Sequence, residues 1–187
     1  MSITKLLTLI LSFQAAVQAV TLQELCDQHR ANRDAEAAQA IASTFEKIEE
    51  LRIDLDMPIV EKIEDADNFA DQYLFHIAKG NTADAERIEK KLAKIKELGI
   101  DPHTVIVNDL AQADTFAYQY VFHIVKGNDK EAQDIENKLA KLKELGINPH
   151  TLIKEKLEWA DTFAQRFAYH IAKGNTADAE RIEKKLA

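Results

Sequence analysis

Cysteine, tryptophan, proline and glycine are scarce in this chain, at one, one, three and five among 187 residues. The lone thiol, Cys26, excludes an intramolecular disulfide, so packing must hold the fold together. On a helix such a thiol reads as a small buried apolar residue, with pairing between chains as the alternative in an oxidising compartment. Each of the five glycines stands where a helix would stop, which leaves none for a phosphate-cradling loop. There is no Ser-His-Asp arrangement, no zinc-ligand spacing and no nucleophile elbow, so the chain does not read as an enzyme. The apolar run in its first residues is too short to span a bilayer, and no other stretch approaches the length needed.

Basic residues are in deficit: 24 Lys plus Arg against 32 Asp plus Glu. Residues 1–19 hold one cation, Lys5, no acid, the mostly apolar run Leu6 to Phe13, and a small-x-small ending at Val17-Gln18-Ala19. That is the layout of a secretory signal cleaved after Ala19; an N-terminal helix capping the rest is the alternative, although its apolar positions are too dense for one stripe. Cleavage leaves 23 cations against 32 acids, a net charge of −9. A chain so acidic is repelled by phosphate backbones and anionic lipid, which argues against nucleic acid or a membrane as partner. A secreted, extracellular product is expected, with the periplasm as the alternative.

What is abundant is repetition. His76, His123 and His170 are spaced by 47 residues, as are Gly80, Gly127 and Gly174, and Pro102 and Pro149. The stretch His76–Ala93 is letter for letter the stretch His170–Ala187. Such a period marks an array whose units bury their apolar faces on one another. A worn first unit is detectable: His29, Leu51, Ile53 and Asp54 fall in register with His76, Leu98, Ile100 and Asp101. The units run over about 20–53, 54–100, 101–147 and 148–187, forming one repeat domain after the signal.

Each unit reads as a helical hairpin. Asp101 is a candidate N-cap with Pro102 at the first helical position, which predicts a first helix, A, of about 24 residues to Lys126. Gly127 stops it, Asn128 caps a second helix, B, of about 18 residues with Glu131 three places on, and Leu145-Gly146-Ile147 closes that helix. Ile106, Leu110, Ala113, Phe116, Ala117, Tyr120, Val121 and Ile124 give helix A a broad apolar stripe. Helix B shows a narrower one through Ile88, Leu92, Ile95 and Leu98. The last unit ends in register with Ala93 and Ala140, without the closing glycine, so an apolar end is expected to be exposed there, either for pairing between copies or through truncation.

This pattern resembles the α-solenoid class of helical-hairpin repeat proteins. The unit length is close to that of HEAT repeats, the hairpins are similar to tetratricopeptide units, and Leu-Gly-Ile-Asp-Pro resembles the inter-unit turn of pentatricopeptide proteins. The likeness is to the class and not to one family. It implies an all-α, right-handed solenoid of about four stacked antiparallel hairpins, a curved surface for binding a macromolecule, and no catalysis.

Five aromatic residues are candidates for contact with a protein or peptide: Phe75, Tyr118, Phe122 and Tyr169 on the flank of helix A, and Trp159, which stands where Asp65 and Gln112 stand in other units. The in-register His76, His123 and His170, with His29, offer a haem or metal carrier as the rival function. Neighbouring helix axes lie about 8–10 Å apart, which separates these imidazoles, and an edge-of-core histidine beside Phe116 and Tyr120 is the simpler reading. No cofactor is therefore expected. Asp67, Asp114 and Asp161 recur too, but nine residues along a helix place Asp114 and His123 on opposite sides. His103 and His150 are expected at helix N-termini, on the surface. A third function class is a self-assembling structural repeat joined through the C-terminal end.

Overall fold

The computed structural model describes residues 20–186, and among them the chain is all-α, with no strand beyond two isolated bridges. The expected signal at 1–19 lies outside the described residues. The helices are α1 (Leu22–Ala31), α2 (Ala35–Ala42), α3 (Phe45–Glu50), α4 (Phe69–Ala78), α5 (Thr82–Glu97), α6 (Phe116–Lys126), α7 (Asp129–Glu144), α8 (Phe163–Ala172) and α9 (Thr176–Leu186). Within each unit the two helices pack on one another: α1 on α2, α4 on α5, α6 on α7 and α8 on α9. In the first unit helix B is broken at Ser43 and Thr44, whose hydroxyls donate back to the carbonyls of Ala40 and Ile41, both at 2.7 Å. That local competition for backbone groups interrupts a helix that Lys90 and Lys91 continue in the next unit.

In the later units helix B runs close to where the sequence predicts, and helix A does not. α6 begins at Phe116, capped by the Thr115 hydroxyl accepting from the Tyr118 N–H at 3.2 Å. Asn68 and Thr162 cap α4 and α8 in the same register. The segment 101–115, expected as the first half of the helix, is instead an extended stretch with one 3-10 turn, Leu110–Gln112. Asp101 does accept a backbone bond, from the His103 N–H at 2.8 Å, but as the start of a tight turn; Asn148 and His150 repeat it at 2.8 Å. An Asx turn and an N-cap use the same side chain, and here the β-branched run Thr104-Val105-Ile106-Val107 carries the backbone on in extended form.

That extended stretch fastens each unit to the one before it. The Ile106 N–H donates to the Asp67 carbonyl at 2.6 Å and the Ile153 N–H to that of Asp114 at 2.8 Å, with Ile59 to Val20 at 2.9 Å as the first member of the series. In the reverse direction the Ala70 N–H donates to Pro102 at 3.3 Å and the Ala117 N–H to Pro149 at 3.2 Å. The two inner clips therefore pair a Pro-x-x-x-Ile segment with the backbone at the head of the preceding helix A, antiparallel at the Thr115–Leu152 bridge. Helix B adds a second tier of links: Lys96 donates to the Glu50 carbonyl and Lys143 to that of Glu97, while Lys47–Glu89 and Lys94–Glu136 form ion pairs at 3.0 and 2.6 Å. The buried apolar residues form one continuous core from Leu22 to Ile182.

The turns follow the glycine pattern. Gly127 ends α6 at φ 71°, and Gly99 follows α5 at φ 75° with the Ile100 N–H returning to the Ile95 carbonyl at 2.9 Å. In the first unit those two registers hold Arg33 and Arg52, at φ 62° and 61°, a left-handed conformation that an L side chain adopts at a cost.

Candidate interaction surface

The in-register histidines close the hairpin turns. The N–H of Asp34, Asn81, Asn128 and Asn175 donates to the carbonyl of His29, His76, His123 and His170 respectively, at 2.8–2.9 Å. Two of the rings also reach across: His29 Nδ1 lies 3.1 Å from the Asp34 carboxylate and His123 Nδ1 lies 3.3 Å from the Asn128 amide. Asn128 thus spends its side chain on the histidine and makes no side-chain cap to α7, contrary to the expected capping box. His123 and His170 are buried, and the Nδ1 atoms of His76 and His170 have no partner among the described residues. No group of three or more His, Cys, Asp or Glu comes together to ligate a metal among the described residues. Cys26 is buried, its thiol 3.3 Å from the Ala38 carbonyl.

Asp67, Asp114 and Asp161 precede helix A rather than standing on it. Their carboxylates are exposed, and the main-chain carbonyls of the first two accept the clip bonds. His103 and His150 likewise lie in the extended stretch and not at a helix start, so a helix dipole does not govern them. The His150 ring meets Tyr118 edge-on with centroids 5.8 Å apart. Burial holds its pKa below the ordinary imidazole value against the opposing charge of Asp101. One unit earlier, burial and the Asp67 charge raise the pKa of Asp71, the register mate of Tyr118, while the nearby His103 opposes them.

The five aromatic candidates fall into three places. Phe75, Phe122 and Tyr169 share one register, half-buried, each edge-on to the following histidine at 5.4–5.5 Å and each with a lysine, Lys79, Lys126 or Lys173, 5.6–6.0 Å over its ring. They form a column of equivalent rings, each under a lysine. Tyr118 sits apart, against His150 in the neighbouring clip. Trp159 is exposed on the 3-10 turn Leu157–Trp159, with Lys156 4.9 Å above it.

The sequence pattern alone does not single out a further set of exposed apolar residues near Trp159 on the 3-10 turns. Ile63, Leu110 and Leu157 occupy one register on successive 3-10 turns, and all three are exposed. Leu110 was expected in the buried stripe of helix A; because the helix starts later, the side chain faces solvent. Phe163 is also exposed, at 46%, whereas its register mates Phe69 and Phe116 are at 1% and 0%. It borders a groove of about 590 Å³ lined also by Leu157, Arg166, His170, Ile182 and Lys185. No described helix is long and apolar enough to cross a membrane. The chain matches no protein-family model, no curated protein and no solved structure.

Proposed function

We propose that the chain is a secreted, non-enzymatic binding module, its hairpins stacked in sequence as a right-handed α-solenoid that holds a protein or peptide partner. Inter-unit bonds that recur at the period of the sequence support the stacked arrangement, since each hairpin then contacts its neighbours in order. The observation that carries the binding reading is the set of solvent-exposed Ile63, Leu110 and Leu157, apolar at the same place in successive units, with the exposed Trp159 on the same 3-10 turn as Leu157. An exposed apolar strip that a repeat array keeps in register is what a long partner can grip at several points. The column of Phe75, Phe122 and Tyr169 supplies a second set of anchors, and an effector acting on another organism's protein would fit such a secreted module.

Two measurements test this. Exported protein should begin at Val20 by mass; a product retaining residues 1–19 removes the secretion step. The exported chain, immobilised against proteins of its own extracellular surroundings, should retain a partner that Trp159→Ala with Leu110→Ser loses at least about tenfold. Unchanged retention by that variant, with its helicity intact, discards that exposed set.

A further inference from the structure

The joint between the first and second units keeps a cleft at the place where a lysine of this protein closes the joint between the second and third. In that closed joint the Lys91 ammonium leaves α5, lies 5.4 Å from the Phe69 ring centre, and donates to the Ile124 carbonyl near the end of α6 at 3.3 Å. One period earlier the two positions are Thr44 and Ile77, and both line a cleft of about 300 Å³. Thr44 does not reach across, because its hydroxyl is turned back onto the Ile41 carbonyl at 2.7 Å. Ala37 and Ala40, which also line the cleft, stand where α5 has the longer Asp84 and Arg87. The joint is internal, walled by α2 on one side and the end of α4 on the other, so its cleft depends on neither terminus of the chain.

The wall at Ile77 suits a cation. Its carbonyl belongs to the last turn of α4, where the helix dipole places negative charge, and beyond the Gly80 N–H it accepts at 3.0 Å it has a second lone pair. Lys79 lines the cleft too, 5.6 Å over the Phe75 ring, but Lys126 holds the same place over Phe122 in the joint that admits Lys91. Burial, and then Arg87, lower the Lys91 pKa. With Ala40 in place of Arg87, the second of those opposing effects is absent from the open joint.

We propose that this cleft takes a lysine side chain of the partner protein, its four-carbon stem lying along Ala37, Ala40 and Ile41 and its ammonium donating to the Ile77 carbonyl. Neighbouring lysines of the chain itself are committed elsewhere, Lys79 to the Phe75 ring and Lys47 to Glu89 and Glu50 at 3.0 and 3.4 Å. A chain with 32 acids to 24 cations attracts a basic partner. Through Lys79 the cleft also adjoins Phe75, the first ring of the aromatic column, which favours a macromolecule over a free amine. The inference rests on the binding-module reading and adds the chemistry of one contact.

The probe is Nα-acetyl-lysine N-methylamide, titrated into the isotope-labelled full chain and followed by NMR at the Ile41 and Ile77 methyl groups. Saturable shifts are expected, with a Kd on the order of 1–10 mM as suits a single side chain. The norleucine and Nε-acetyl-lysine counterparts keep the stem and lose the charge, and should bind at least about tenfold more weakly. Thr44→Lys supplies the side chain that the next unit has, and should abolish the shifts and lower retention of the extracellular partner at least about tenfold, with helicity intact; Trp159→Ala should leave the shifts unchanged. No saturation by about 50 mM, equal binding of the norleucine probe, or indifference of both readouts to Thr44→Lys overturns the proposal. So does putrescine binding at least about tenfold more tightly than the lysine probe, which assigns the cleft to a free amine. Saturation seen only in a chain that begins at Val20 assigns it to residues 1–19 and overturns the proposal as well. If the lysine probe fails while the Trp159/Leu110 variant still loses its extracellular partner, the cleft is discarded and the binding module stands; if both fail, the module falls too.

Discussion

Residues 76–93 and 170–187 are the same amino acids in the same order, so wherever they differ the cause is their surroundings. Leu92 is 1% exposed and its twin Leu186 38%. Lys91 is held against the Ile124 carbonyl at 3.3 Å, its pKa lowered by burial and then by Arg87, whereas its twin Lys185 is exposed and rests 5.8 Å from the uncovered Phe163 ring. The inner residues of the hairpin barely notice: Ala85 and Ala179 are both buried, as are Ile88 and Ile182. The seam therefore keeps its burial without a following unit, whereas the hairpin's outward face acquires a core environment only from that unit. Stability in this chain is divided between seam and stack.

The largest test of that division is Phe116→Ala against Phe163→Ala. The first empties a sealed site and should cost about 3–5 kcal/mol in urea denaturation, the second less than about 1. Similar losses from both would mean that stacking does not bury the ring. The twin leucines sharpen the point: Leu92→Ala should cost about 2–5 kcal/mol and Leu186→Ala well under half of that, read from the same melts.

A smaller contrast sets the first unit against the others. Gly127→Ala forces a side chain into the left-handed region and should destabilise by about 1 kcal/mol, while Arg52→Gly relieves the corresponding strain and should stabilise by up to about 1 kcal/mol. A loss from Arg52→Gly would show that the arginine side chain outweighs its backbone. The smallest expected effect is a pH dependence at the clip between the third and fourth units. Because burial lowers the His150 pKa, the folded state favours the neutral ring. Its contribution is complete above the ordinary value of 6.5 and is lost as pH falls through the depressed folded value. The midpoint of denaturation should therefore drop on acidification below 6.5, and His150→Gln should make that drop shallower.

The hairpins were legible because their signals are local: a glycine at each stop, a narrow apolar stripe on helix B, and the period itself. The clip was not. Asp101-Pro102 satisfies the rule for a helix start, and Ile106, Leu110 and Ala113 keep helical spacing, so a run of extended chain imitates the front of a helix. The contrary signal was the four consecutive residues Thr104 to Val107, three of them valine or isoleucine and the first threonine, whose branched side chains favour extended backbone. The candidate surface was read in part for the same reason. Phe75, Phe122, Tyr169 and Trp159 stood out by type, but Leu110 and Phe163 matter through exposure, which depends on where the helix begins and on what the neighbouring unit covers.

The clips join each segment to a partner in the unit immediately before it, so every inter-unit bond is closed between adjacent modules. Excising residues 101–147 as a block would bring Pro149 to the place of Pro102 and Ile153 to that of Ile106, opposite the same Asp67 and Ala70. The chain is thus divisible and extensible by whole modules, like a linked rule whose sections fasten by one common hook, and its length is a quantity that duplication can change without redesigning any joint.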